Sequence, residues 1–406
     1  MSAKRVLILD TGKEWGGGTN SLIELLKRID KTKYRFTALF YDNYKRGDKS
    51  DIKSEIERLG VDFIHFGRHK QMAAAKMLKE AGRVIFFFSR KLRRSYLFWI
   101  DYNFRIKYDS ERIFDILKRL NNVDLLYMNN QPSSNLEGII AANYADIPAI
   151  QHSRIVAKLN RFEANMVNKW VKKVICVSQG VKDNLVHQGV DDDKCVVVYN
   201  GIDPLVMPTS SIAAIREKWG IGEGEILIGT VGSLLKRKRI EHIIRMFAEL
   251  VKKHGNIKCM IVGDGPEREK LKSEVLRYRI SDKVVFTGFQ TDPISYINAM
   301  DIFIMTSETE GLPRVILEAM LMAKSVVAYD VICISELVES GRTGFLIAES
   351  DISMLAEKVS HLIGSEKLRK EMGDKGREKV IKNFSMDSYV NGVSKVIDEV
   401  LAKCSI

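Results

Sequence analysis

The sequence predicts an α/β protein of two doubly wound, Rossmann-like domains facing a central cleft. Three observations carry that expectation. The chain has 406 residues, more than one ordinary hydrophobic core accommodates. Short runs rich in Val and Ile alternate with helical patterns, as in parallel sheets covered on both faces. The alternation also comes as two series, separated by a stretch bearing Pro and Ser.

In the first series, strands are expected at 4–10, 36–41, 124–127, 148–152, 173–178 and 195–199. The helix after the first strand shows Leu22, Leu25, Leu26 and Ile29 on one face. The second series places strands at 226–231, 257–262, 284–286, 301–305, 325–328 and 344–347. Between the series, Asp203-Pro204 and Met207-Pro208-Thr209-Ser210-Ser211 interrupt the pattern. The expected division is therefore a first Rossmann-like domain at 1–205 and a second at 206–385. The closing helical stretches, about 352–382 and 386–403, follow the last strand, and 386–406 is able to cross back onto the first domain.

Composition narrows the function. With 45% hydrophobic and 29% charged residues, the chain is globular rather than disordered. A net charge of +12 calls for an anionic partner without naming it. The basic residues are spread along the chain and form no recognised nucleic-acid module, so no nucleic-acid partner is expected. Cys176, Cys195, Cys259, Cys333 and Cys404 are scattered, with no CxxC pair, and read as buried thiols of a reducing compartment. The N-terminal apolar run reads as a first strand rather than a signal peptide. No run approaches the ~20 apolar residues of a membrane span. A cytoplasmic protein is expected, peripheral at most on the inner face of the membrane.

In open parallel sheets ligands bind beyond the carboxyl ends of the strands, and the informative motifs lie there. Ser307-Glu308-Thr309-Glu310-Gly311-Leu312-Pro313-Arg314-Val315-Ile316-Leu317-Glu318-Ala319-Met320 follows the strand at 301–305 and opens a helix. Pro313 suits a first helical turn. The amides of Gly311, Leu312, Arg314 and Val315 would then point out of the helix start, a site for a diphosphate. Glu318, about five residues into the helix and roughly 7 Å along its axis, is placed to accept bonds from ribose hydroxyls. Glu310, ahead of the helix, would face the sugar.

Here the chain resembles the retaining glycosyltransferases of the GT-B fold, specifically family 4, whose signature is two glutamates separated by seven residues. Glu310 and Glu318 have that spacing. Val177-Ser178-Gln179-Gly180-Val181-Lys182, Val198-Tyr199-Asn200-Gly201-Ile202-Asp203 and Ile261-Val262-Gly263-Asp264-Gly265-Pro266 also look like family patterns. Gly263 and Gly265 read as backbone-geometry residues rather than catalytic ones. In Val231-Gly232-Ser233-Leu234-Leu235-Lys236-Arg237-Lys238-Arg239, family members usually have Arg after the glycine and Lys five residues later, both on the donor pyrophosphate. Lys238 matches the lysine, whereas Ser233 occupies the arginine position, leaving Lys236, Arg237 or Arg239 to substitute.

The resemblance implies a sugar passing from a nucleotide-diphosphate donor, UDP- or GDP-linked, to a glycan hydroxyl with its anomeric configuration retained. No cofactor is implied. Glu310, His152 and Lys238 are the candidate catalytic residues. His152, ending the strand at 148–152, stands where the family often holds a histidine over the transferred sugar. Asn129 and Asn130 end the preceding strand and are expected to face the same cleft. In the first domain, Gly16 and Gly17 belong to a glycine triplet before the first helix, where backbone amides approach a phosphate or an acceptor. No DxD stands at a strand end, and Asp191-Asp192-Asp193 reads as a solvated turn, so no metal is expected. Donor choice is expected to rest near Gly265 and Thr287-Gly288-Phe289-Gln290.

Residues 82–107 alternate aromatic and aliphatic groups with clusters of Arg, and Asp101 is their only acid. Such a segment suits shallow insertion at an anionic membrane surface, and equally a core helix with a basic face. With docking, the acceptor would be a lipid-linked glycan or a lipopolysaccharide-type core. Two other readings stay open: a nucleotide-sugar epimerase of the same fold, and a basic protein that binds membranes or nucleic acid.

Overall fold

The computed structural model describes residues 3–46, 50–69 and 72–403; Cys404 lies outside them. The chain divides into two compact units, Met1–Val198 with Val390–Ile406, and Tyr199–Tyr389. The division falls ahead of the Pro- and Ser-bearing stretch. Gly201 explains why: a side chain there would meet the Met386 and Ser385 backbone at 2.7 Å, so the chain is already packed into the second unit at that point.

The first unit holds β1 (Lys4–Asp10), β2 (Tyr34–Phe40), the short antiparallel pair β3 (Lys45–Arg46) and β4 (Ser50–Asp51), and β5 (Asp62–His65). It continues with β6 (Leu125–Met128), β7 (Ala149–Ser153), β8 (Lys173–Cys176) and β9 (Cys195–Val197). Its parallel seven-stranded sheet has the order β5-β2-β1-β6-β7-β8-β9. Val6, Leu7, Ile8 and Leu9 are all buried, because β1 is central and covered on both faces, which requires a continuous apolar run rather than alternation. Edge strand β5 has both ends exposed, and neither it nor the β3–β4 pair stands out in the sequence pattern.

The second unit holds β10 (Ile226–Val231), β11 (Ile257–Val262), β12 (Val284–Gly288), β13 (Ile302–Met305), β14 (Ser325–Tyr329) and β15 (Gly344–Ile347). They form a parallel sheet in the order β12-β11-β10-β13-β14-β15. Each unit is thus a Rossmann-like sheet whose strand order reverses once, beside β1 in the first and beside β10 in the second.

After β15 the stretch expected as one helix is two, Ile352–Ile363 and Glu366–Asn383. Gly364 ends the first, and the Ser365 hydroxyl caps the second by accepting from the Leu368 amide at 3.2 Å. The final helix, Met386–Lys403, begins in the second unit and joins the first from Val390 onward. There the Tyr34 hydroxyl donates to Asp398, and Gly392 lies so close to Val198 that a side chain would reach it at 2.8 Å.

Candidate functional site

In the second unit the strand order reverses between β10 and β13, and the turns leaving these strands carry the predicted residues. The turn after β10 is built on glycine. Gly263 has φ +135, and a side chain there would sit 1.9 Å from the Gly232 carbonyl oxygen. Gly265 would collide with the Leu234 backbone at 2.6 Å. Both glycines therefore serve close backbone approach, with Gly232 N donating to Val262 O and Leu234 N to Asp264 O at 2.9 Å.

The turn then closes into one tight helical turn, Lys236–Lys238, followed by Arg239 in the left-handed region at φ 48. The loop leaving β13 clamps it. The Thr306 hydroxyl lies 3.0 Å from both the Lys238 and the Arg239 carbonyl oxygens, and the Glu308 amide donates to Arg237 O at 2.8 Å. This brings Lys238 Nζ to 2.5 Å from Glu310 Oε1, with Arg237 Nη1 at 3.9 Å from the same oxygen. The Lys238 and Glu310 side chains are only 16% and 10% exposed, so water screens the pair weakly. Burial alone would raise the Glu310 carboxyl, but the charge and hydrogen bond of Lys238, with Arg237, hold it below its ordinary value.

Arg239 is committed to Glu349 at 2.7 Å, Glu308 at 3.6 Å and the Ser350 hydroxyl at 2.8 Å, and Lys236 is exposed. Of the three cations beside Lys238's position, Arg237 is thus the one that approaches Glu310. Ser233, in the family arginine's position, is half-buried, and its carbonyl accepts from Leu235 N at 2.8 Å.

The helix after Glu310 runs Arg314–Leu321, with Pro313 as its N-cap rather than inside the first turn. Helix geometry leaves the first-turn amides of Arg314 and Val315 without a carbonyl behind them. Gly311, Leu312 and Pro313 are buried, so their contribution to any ligand is main-chain. The Leu312 carbonyl is tied down by Asn200 Nδ2 at 3.0 Å. Arg314 donates from Nη1 to Gly201 O at 3.2 Å, and its Nε stands 3.8 Å from Glu318 Oε1. Burial pushes the Glu318 carboxyl up, and Arg314 offsets this only in part.

The first unit holds the remaining predicted residues. Gly16 is the N-cap of helix Gly17–Arg28 and supplies no side-chain cap; Gly17 opens the helix. A side chain on Gly18 would touch Arg154 Cγ at 3.4 Å, and Arg154 Nε donates to Asn129 Oδ1 at 2.8 Å. Asn129 and Asn130 directly follow β6. Both turn their amides onto Asp10, at 2.5 and 2.8 Å, and Asn129 is buried. Burial raises the Asp10 carboxyl against the lowering effect of those bonds. His152 is fully buried and hydrogen-bonded through Nδ1 to the Tyr127 hydroxyl. Burial, then the Arg154 charge, hold its ring well below the ordinary value, so it is neutral.

Asp191 accepts from Asn168 at 2.9 Å and Asp192 pairs with Lys182 at 2.9 Å, forming a surface turn. Asp10, Arg154, Thr306 and Asn200 were not singled out as site residues. Asp10 and Thr306 stand at strand ends, which is the one signal that could have raised them.

Comparison with known proteins bears on this arrangement. The family model Glycosyltransferase Family 4 matches residues 15–204, and the model Glycosyl transferases group 1 matches residues 211–379. The chain belongs to glycosyltransferase family 4. Among its family 4 relatives is the N-acetyl-alpha-D-glucosaminyl L-malate synthase of Bacillus anthracis, 29% identical over 219 residues, covering 54% of this chain and 57% of that protein. Another is the poly(ribitol-phosphate) alpha-N-acetylglucosaminyltransferase of Staphylococcus aureus, 28% identical over 41% of this chain and 34% of its own length. The match thus spans about half, or less, of the length of these curated relatives. Among solved structures, HepE of Anabaena in complex with UDP and glucose superposes with a TM-score of 0.76 at 20% identity, covering 97% of this chain and 99% of that one. Its fold, and that of this family 4 chain, is GT-B.

Proposed function

We propose that this family 4 chain is a retaining glycosyltransferase, moving a sugar from a nucleotide-diphosphate sugar to a glycan hydroxyl without a metal. The observation that carries the reading is the clamped Lys238–Glu310 pair, beside a helix start whose fifth residue is Glu318. Cations and amides fixed in place stabilise the charge that grows on a departing nucleoside diphosphate. Lys238, with Arg237 in place of the family arginine, takes the pyrophosphate together with the amides of Arg314 and Val315. Glu318 accepts from the ribose hydroxyls, and Glu310 orients the sugar. His152, neutral and buried, is suited to hydrogen bonding rather than to carrying a proton.

In the step proposed, the bond from the anomeric carbon to the phosphate oxygen breaks as the bond to the acceptor oxygen forms on the same face. The electron pair leaves with the phosphate oxygen, which takes the acceptor's proton. UDP is the favoured nucleotide, since the HepE structures hold UDP or UDP-glucose. Staphylococcus aureus relatives named capsular polysaccharide biosynthesis glycosyltransferase and poly(ribitol-phosphate) alpha-N-acetylglucosaminyltransferase favour a cell-envelope glycan as acceptor, lipid-linked or of lipopolysaccharide type. Among the described residues no helix is long and apolar enough to cross a membrane, and such an acceptor would be met at an anionic membrane surface.

The test is a thermal-shift screen with UDP, GDP, ADP and TDP sugars, followed by NMR of the product's anomeric configuration. Stabilisation by a UDP sugar, and retained configuration with EDTA present, are expected. An inverted product, or turnover lost in EDTA and restored by manganese, would overturn the assignment. An epimerised nucleotide sugar with no glycosylated product would favour the epimerase.

A further inference from the structure

Residues 73–101 of the first unit form two helices, Ala73–Ile85 and Arg90–Asp101, joined by Phe86, Phe87, Phe88 and Ser89. The base of this hairpin is anchored. Ala75 and Ile100 are buried, Lys79 Nζ lies 2.6 Å from Asp101 Oδ1, and the Phe98 ring stacks on Phe162 at 6.2 Å. The helices cross at Gly82, where a side chain would lie 2.1 Å from the Tyr96 ring, and Phe86 packs on Tyr96 at 5.2 Å between centroids.

The tip is the opposite. Phe87 is 76% exposed, Val84 72%, Phe88 67% and Ile85 59%. Four large apolar side chains in five consecutive positions, all facing water, are rare on a monomer without a partner. The exposure is not that of a loose loop. Phe86 N donates to Gly82 O at 3.0 Å, Ser89 N to Phe86 O at 3.3 Å and Leu92 N to the Ser89 hydroxyl at 3.3 Å. A turn whose amides are bonded internally enters an apolar medium at lower cost than one that needs water.

Charge decides the partner. Arg83, Arg90, Lys91 and Arg94 are exposed around this tip, and Arg90 and Lys91 make no ion pair among the described residues. Asp101, the only acid in 82–107, is turned inward to Lys79. Aromatic side chains ringed by cations, of which Arg83 pairs with Glu80 and Arg94 with Glu163 while Arg90 and Lys91 stay unpaired among the described residues, match the interface of a bilayer carrying anionic headgroups, where the rings rest at the acyl boundary and the cations remain among phosphates.

We infer that the tip at Val84–Leu92, led by Phe87 and Phe88, inserts into the interfacial layer of an anionic membrane. This rests on the membrane-borne acceptor proposed above and names the element that reaches it.

The test is flotation of the full chain with vesicles of phosphatidylcholine alone and of phosphatidylcholine with phosphatidylglycerol. The wild-type chain should float with the anionic vesicles and not the neutral ones, less so as salt is raised. Phe87→Ser with Phe88→Ser should weaken that binding by about tenfold or more, and Arg90→Glu with Lys91→Glu by about tenfold or more. Both variants should keep the wild-type unfolding transition and thermal response to UDP, which shows that they fold. No flotation of the wild type would overturn the inference. So would unchanged binding by the Phe variant, or a wild-type oligomer that the Phe variant dissolves while lipids are ignored, which would make a second copy the occupant. The wild-type response to UDP reads the transferase assignment separately, so its absence would sink that assignment and leave the vesicle result standing.

Discussion

The turns that leave β1 and β10 occupy equivalent places in the two sheets, yet they are built differently. After β10, two neighbouring loops hold the chain from both sides. Gly263 backs onto Gly232, and Thr306 with Glu308 fastens the carbonyls of Arg237, Lys238 and Arg239. After β1, Gly12 is pinned at φ +60 beneath Asp42, but from Lys13 to Gly17 the chain is exposed or half-buried. A side chain added at Gly16 would meet nothing nearer than the end of Glu14, at 3.8 Å. A loop that must present fixed charge to one chemical group, a diphosphate, gains from being over-determined. A loop that serves a variable partner needs its ends fixed and little else.

Substitutions can break this contrast, beginning with the largest effect. Gly263→Ala places a side chain into the Gly232 carbonyl at a φ that L residues rarely adopt, and should cost about 4 kcal/mol or more. Chemical denaturation reads it; a loss below about 1 kcal/mol would mean that the two loops are not packed as tightly as described. Lys238→Met should lower kcat/KM by about a hundredfold or more and destabilise the fold by about 3 kcal/mol, because Glu310 stays buried without its counter-charge. Adding Glu310→Gln should restore most of the stability and none of the activity. Its pH signature is distinct: Glu310 is held below its ordinary value, so its contribution is present at neutral pH and is lost as pH falls through that lowered value.

Glu318 runs the other way. Its carboxyl is raised by burial, so the fold favours its protonated form and gains, rather than loses, from Glu318 as the medium becomes acidic. If Glu318 accepts from the ribose hydroxyls as proposed, nucleotide binding needs the carboxylate, and UDP affinity measured by calorimetry should fall as pH drops toward that raised value. Glu318→Gln should bind UDP about tenfold more weakly at neutral pH and lose this pH dependence; a variant that kept it would place the titrating group elsewhere. Smallest of all, Gly16→Ala should change stability by less than about 0.5 kcal/mol. A large loss there would erase the distinction between the two turns.

Much of this architecture was legible because central parallel strands must be apolar on both faces. β1, β10, β11 and β15 have the ends that the residues imply, and Glu310 stands in the strand-to-helix turn with Glu318 inside the helix that follows. What could not be read has equally physical causes. β5 is an edge strand with polar, exposed ends, so burial writes no pattern into it. Gly364-Ser365 breaks a stretch whose apolar period continues on either side, and only the cap shows the break. The second unit begins at Tyr199 because of close packing at Gly201, a three-dimensional contact that no local composition announces. Asn129 and Asn130 follow β6, and the buried carboxylate of Asp10, at the end of β1, accepts from both, a pairing that no local sequence pattern announces.

The contact between Lys238 and Glu310 has a consequence for turnover. An ammonium that already has a resident anion yields less on meeting an incoming one, since part of its field is spent. A diphosphate bound at Lys238 as proposed would share it with Glu310, and on its departure the carboxylate would remain as the lysine's partner. On the proposed binding at Lys238, the glutamate would act as an internal rival that limits how tightly spent nucleotide is held, and so would favour its release.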